Sequence, residues 1–306
     1  MRWRDATPPR PWWPWVPTAW LRLWSASTKW SILAQILVAH HALNIQRAYL
    51  LYELGRLRGD HNSEFAVARL YLNEASSEKH AEAETILRSL ATRGHPHAQQ
   101  LLGRRYASDP EKQSAAIDLF VTAAKNGVTS GWIEAGRLLL ASDQYDAANA
   151  HFQSAVNAGD PAGHHALAIS AQKRGSSPDD IVAHTMRAAE AGVPEAQHNL
   201  GTMYLNGYGG SGTAALKKDP KKAERWFAVA ASRYPPAAFN LALLAKARGD
   251  AKAARRGLEK CAQVPGKLGQ EARSELADLD RRESSSGGGE QATRLRTEQS
   301  FGCRIQ

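Results

Sequence analysis

Cysteine is nearly absent from this chain: Cys261 and Cys303 are the only two among 306 residues. Two cysteines cannot build a disulfide framework, so packing has to hold the fold. No Asn-x-Ser/Thr sequon occurs, which leaves the secretory pathway without support. The mostly apolar stretch from Trp30 to Ala39 (WSILAQILVA) is too short to cross a bilayer without its charged flanks and reads as a packing helix.

Catalytic and ligand-binding signatures are missing too. The glycine-rich run Gly207 to Gly212 (GYGGSG) lacks the Gly-Lys-Ser/Thr that opens a helix in a phosphate-binding loop, so it reads as an ordinary inter-helix loop. Histidines come in the pairs His40/His41, His95/His97 and His164/His165, but neighbours on a helix point about 100° apart and no cysteine or carboxylate cluster completes a ligand set. No Ser-His-Asp set, Cys-His set or paired-carboxylate motif can be assembled from local sequence. These absences point to a non-enzyme with no cofactor and no metal.

A concentrated basic stripe is also lacking. Lys plus Arg exceed Asp plus Glu by 39 to 30, but residues 61–263 hold 24 basic and 20 acidic side chains. So mild an excess gives nucleic-acid binding little support.

What the sequence does have is repetition. Six nine-residue stretches align without gaps: SEFAVARLY from Ser63, AQQLLGRRY from Ala98, GWIEAGRLL from Gly131, GHHALAISA from Gly163, AQHNLGTMY from Ala196 and AAFNLALLA from Ala237. Their starts lie 35, 33, 32, 33 and 41 residues apart. Such a period marks a solenoid, whose units bury their apolar faces only against their neighbours. Each stretch is followed by a second helical pattern, as in Ala83–Ala91 (AETILRSLA), Ala116–Ala124 (AIDLFVTAA) and Ala223–Ala231 (AERWFAVAA). Apolar residues recur three and four apart, as one buried stripe requires. Gly94, Gly127, Gly159 and Gly192 fall just beyond the second helix, where a left-handed cap favours glycine. Leu102, Tyr106, Phe120, Phe152, Trp226 and Phe227 are expected to fill the space between helices. Cys261 sits where most repeats carry alanine and is read as a buried, inert packing residue.

The fifth repeat carries a resemblance. Its AQHNLGTMYLNGYGG and DPKKAERWFAVAA resemble the Sel-1-like repeat, matching at Ala196, Leu200, Gly201, Tyr204, Gly207, Gly209, Asp219, Lys222, Ala223, Trp226, Ala230 and Ala231. The second repeat matches at Ala98, Leu102, Gly103, Tyr106, Asp109, Ala116, Phe120, Ala123 and Ala124. The first and fourth have Ala68 and Ala168 in place of the first-helix glycine, and Tyr234 stands where the fifth should end in glycine. The resemblance covers roughly residues 60 to 263. It implies an all-α fold, an α-solenoid of about six antiparallel helix pairs related to tetratricopeptide arrays, that serves as scaffold or adaptor in protein complexes.

In related arrays the residue after the first-helix glycine faces a concave groove. Here that position holds Arg69, Arg104, Arg137, Ile169, Thr202 and Leu243. Three successive arginines suit carboxylates or phosphates through bidentate bonds; the alternative is that they pair with acidic neighbours or lie solvated. The candidate groove residues are Arg69, Arg104, Arg137, Gln100, His165, His198, Thr202 and Phe239, with an acidic protein segment as the expected partner.

The ends differ in character. Residues 1–30 hold seven of the nine tryptophans with Pro8, Pro9, Pro11, Pro14 and Pro17, a leader with only Asp5 as acid. It reads as a mitochondrial presequence, with an interfacial membrane contact or a disordered tail as alternatives. Residues 31–60 are expected to form capping helices, 61–263 the array, 264–280 a C-terminal capping helix and 281–306 a flexible tail, for which RRESSSGGGE is the composition signal. The terminal Cys303-Arg304-Ile305-Gln306 fits a C-a-a-X motif and makes Cys303 a lipidation candidate. The expected function is a non-enzymatic scaffold in organellar complex assembly. The alternatives are an organellar RNA-associated helical-repeat protein and a membrane-tethered regulator of a membrane enzyme; cytoplasmic or membrane-associated placement is the alternative to mitochondrial.

Overall fold

The computed structural model describes residues 45–209 and 215–281. The leader 1–30, the first part of the expected cap, the loop tip 210–214 and the tail with Cys303 lie outside the described residues. The fold is all-α, an α-solenoid of helix pairs.

Helix α1 (Ile45–Leu57) precedes six pairs. They are α2 (His61–Leu72) with α3 (Ser77–Thr92), α4 (Pro96–Ala107) with α5 (Gln113–Lys125), and α6 (Ser130–Ala141) with α7 (Tyr145–Asn157). Then come α8 (Ala162–Arg174) with α9 (Pro178–Glu190), α10 (Pro194–Asn206) with α11 (Pro220–Ala230), and α12 (Pro235–Ala247) with α13 (Ala251–Ala262). A last helical run occupies residues 267–281. The chain divides into two compact units, one ending at Gly131 and the other beginning at Trp132. Within the first, each of α1 to α4 packs on the next helix in the chain; within the second, each of α7 to α12 does the same.

Local chemistry sets the helix ends. Asp60 caps α2 by accepting from the amides of Asn62 and Ser63, and Asp219 caps α11 by accepting from Lys221 and Lys222. Pro96, Pro178, Pro194, Pro220 and Pro235 sit in the first turn, where their missing N–H costs nothing. At the far end of α3, Gly94 takes φ +84° while its amide donates to Ala91 O at 3.0 Å and the His95 amide to Leu90 O at 2.9 Å. This pair of hydrogen bonds closes the last turn. The sequence after Gly127, Gly159 and Gly192 repeats the arrangement, with Val128, Asp160 and Val193 in the place of His95. The fifth pair ends without it: Tyr234 instead has extended backbone and opens α12.

The core of a pair is one contact between its two helices. A Cβ added to Gly103 would lie 2.8 Å from the Phe120 ring, one on Gly136 2.4 Å from Phe152, and one on Gly201 2.7 Å from Phe227. All three rings are fully buried. Where the first helix has alanine instead, at Ala68, Ala168 and Ala242, the corresponding second-helix residue is smaller: Leu87, Thr185 and Leu258, also buried. Ring and methyl group compete for one volume, and each pair settles on one of them.

Two expectations about packing need correction. Trp226 packs against the cluster of Ala189 and Leu200 but is only half-buried, while its neighbour Phe227 takes the fully enclosed slot between α10 and α11. The loop around Gly207 is also more than an ordinary connection. Tyr208 and Leu216 exchange backbone hydrogen bonds of 2.9 and 2.7 Å, and the Asp219 amide donates to Tyr204 O.

Two of the junctions between successive pairs are tied by glutamines. Gln99 Nε2 donates to Ala91 O at 3.0 Å, tying α4 back to α3, and Gln197 Nε2 donates to Ala189 O at 3.1 Å, tying α10 to α9. Both side chains are buried. Cys261 is buried as well, and burial pushes its thiol pKa up, which suppresses the reactive thiolate.

The Gly–Phe contact yields a test. Gly201→Ala should destabilise the protein by about 1–3 kcal/mol through overpacking, and Phe227→Ala by about 3–5 kcal/mol through the cavity it leaves. Gly201→Ala combined with Phe227→Leu, which copies the first and sixth pairs, should recover most of the first loss in urea denaturation. Strictly additive losses in that double variant would contradict the shared-volume account.

Candidate partner-binding face

In the first unit, Arg69 on α2 is exposed, with its guanidinium carbon 6.0 Å from the centroid of the Phe65 ring. Arg104 on α4 is also exposed, but it is not a free cation, since a neighbour engages it. Gln100, one turn before it, is buried, and its Nε2 donates to Ser130 Oγ at 2.8 Å. Two arginines and a bound carboxamide therefore mark the first-helix positions of this unit.

The second unit is built from different chemistry. Arg137 on α6 is exposed. His165 on α8 is 8% exposed and its Nδ1 has no hydrogen-bond partner. Burial lowers its pKa, Glu195 opposes that shift and Arg137 adds to it. His198 on α10 is half-buried, with its ring 5.5 Å from Phe227 and 5.3 Å from Tyr234. Asn240 Nδ2 lies 3.0 Å from His198 Nε2. An amide nitrogen only donates, so Nε2 must accept and the ring proton sits on Nδ1, 3.4 Å from Asn199 Oδ1. Thr202 Oγ1 donates to His198 O. Phe239 on α12 is half-buried against the cluster of Ala242 and Leu258.

A cavity of about 260 Å³ opens among α8, α9 and α10. His198, Thr202 and Ile169 line it together; Arg137, His165 and Phe239 do not. Sequence reasoning missed Gln172, Asn199, Met203, Asn206 and Tyr208, which also line it. One signal was available: Asn199 and Asn240 occupy the same register, each just before the central leucine of its repeat. His164 faces His184 on the next helix, not its sequence neighbour His165, with Nδ1 atoms 3.2 Å apart. Among the described residues no group of three or more His, Cys, Asp or Glu could hold a metal ion. Among the same residues no helix is long and apolar enough to cross a membrane.

The chain matches no family model and no curated protein sequence. Its similarities are to solved structures. It is similar to a protective antigen of uropathogenic Escherichia coli strains displaying an SLR fold, with 19% identity and a TM-score of 0.55 over 84% of this chain and 58% of that one. A Sel1 repeat protein from Oxalobacter formigenes gives 18% identity and a TM-score of 0.56 over 68% of this chain and 89% of that one. Yeast Tom70 gives 12% identity and a TM-score of 0.63 over 89% of this chain and 58% of that one. The chain thus spans little more than half of the E. coli and yeast proteins. At these identities the likeness shows the fold, that of Sel1-like and related helical repeats.

Burial lowers the pKa of His95, His151, His164, His165, His184 and His198 from the ordinary 6.5. Above about pH 7.5, one unit beyond the ordinary pKa, these groups are neutral in both folded and unfolded chains and contribute no pH dependence. Below it the unfolded chain takes up protons first, so stability should fall as pH drops from about 7 to 5. Melting temperatures over that range should decline, and His165→Leu should flatten part of the decline. A curve unchanged by that substitution would mean His165 is not held neutral by the fold.

Proposed function

We propose that this protein is a non-enzymatic scaffold that holds a segment of a partner protein against its first helices. The observation that carries this reading is the cavity among α8, α9 and α10, which opens beside Ile169 and Thr202, the positions that follow the small first-helix residue. Exposed Arg69 and Arg137 at the same register support an acidic stretch elsewhere on that partner. The proposed setting is assembly of an organellar, mitochondrial complex, and it rests on the acid-poor leader, which lies outside the described residues. The RNA reading rests on the net charge of +9 and the same arginines.

Affinity capture on the full chain tests the scaffold reading. Reversal of Arg69 and Arg137 to Glu should leave the melting temperature nearly unchanged and weaken partner capture about tenfold, or 1.4 kcal/mol. Arg187 and Arg225, exposed on second helices, provide the matched control. Arg93 would not, because its Nη2 is 2.6 Å from Glu64 Oε2 and reversal would break that ion pair. Equal loss from both reversals, with captured RNA released steeply by salt, would replace the scaffold reading with the RNA one.

A further inference from the structure

The cavity of the second unit has a wall that no other helix pair builds among the described residues. α10 and α11 are separated by Gly207–Asp219, whereas α8 and α9 are separated only by Gly175–Ser177. The longer connection accounts for the 41-residue spacing that follows the fifth repeat. Its start is pinned by the paired backbone bonds between Tyr208 and Leu216, and Gly207 and Gly209 adopt φ of +80° and +92° to turn it. Gly207 and Tyr208 thereby line the cavity alongside the three helices.

The lining is graded by burial and carries no formal charge. Ala168, Ile181 and Thr185 are buried, Ile169 and Met203 are half-buried, and Gln172 and Asn206 are exposed. The apolar groups therefore form the floor and the carboxamides the rim. Burial lowers the pKa of His198, so at neutral pH the ring adds no cation. A carboxylate entering here would lose water and meet no positive partner. A peptide group would fare better, because a carboxamide offers both a donor and an acceptor, the complement of a backbone C=O and N–H.

We propose that this cavity is a socket for one uncharged side chain, aromatic or large aliphatic, of an extended partner segment whose adjoining peptide groups are held by Gln172, Asn199 and Asn206. The proposal rests on the partner-segment reading above and adds a residue class to it. It assigns the neutral part of the segment to the socket and leaves acidic residues outside it.

The test uses the full chain with methyl-labelled isoleucine and methionine, titrated with N-acetyl-phenylalanine methylamide or N-acetyl-glutamate methylamide and followed by NMR. The phenylalanine probe should move the Ile169, Ile181 and Met203 methyl signals saturably, and the glutamate probe should not. Tyr208→Ala should weaken the response about fivefold, and Thr202→Trp should abolish it, with the Ile86 and Ile133 signals unmoved to show an intact fold. A glutamate response equal to that of phenylalanine, a response that survives Thr202→Trp, or none at those methyls overturns the socket. If partner capture still depends on Arg69 and Arg137 in that event, the scaffold reading stands and only the socket fails. Capture indifferent to those arginines and to Thr202→Trp removes the scaffold reading itself.

Discussion

Everything in this fold depends on how closely the two helices of a pair approach, and that distance is set where a glycine faces a ring. Gly103, Gly136 and Gly201 leave the volume of one methyl group to Phe120, Phe152 and Phe227. Sharing that volume fixes the contact on both helices at once, because neither residue can grow without displacing the other. The other pairs carry alanine at that first-helix position and a smaller leucine or threonine at the matching second-helix one. The caps and glycine turns then carry the chain from one such contact to the next.

Burial of that stripe has a second effect: it leaves the remaining faces of the first helices to chemistry that packing does not dictate. In the first unit those faces bear exposed arginines. In the second they bear Arg137 and, around a cavity with an apolar floor, carboxamides and a histidine. A repeat protein with one backbone plan can thus present different recognition chemistry along its length, since the core residues and the surface residues occupy separate registers.

The helix pairs were legible in the sequence because their signal is a strict one: small residues at fixed offsets, and glycine where the backbone must turn left-handed. The error at Trp226 has a simple cause. Adjacent residues on a helix diverge by about 100°, so only one of Trp226 and Phe227 could enter the pair, and a period of three and four cannot decide between neighbours at its edge. The exposure of Arg69, Arg104 and Arg137 followed from register, whereas the engagement of Arg104 did not, because it depends on side chains distant in sequence. The cavity was hidden for the same reason. Part of its wall is Tyr208, which is clamped to Leu216, a contact that no periodicity encodes. His164 met His184 rather than His165 because cross-helix neighbours share a face and sequence neighbours do not.

The glutamines at Gln99 and Gln197 grip the preceding helix by a backbone carbonyl and not by any side chain. Every residue type has that carbonyl, so the joint places little demand on the identity of its predecessor. Such a coupling lets one pair be duplicated, exchanged or drift in sequence without a matching change next door. Arrays of this kind can therefore lengthen and diversify by copying whole pairs, with each new copy docking through a hand-hold that was already there.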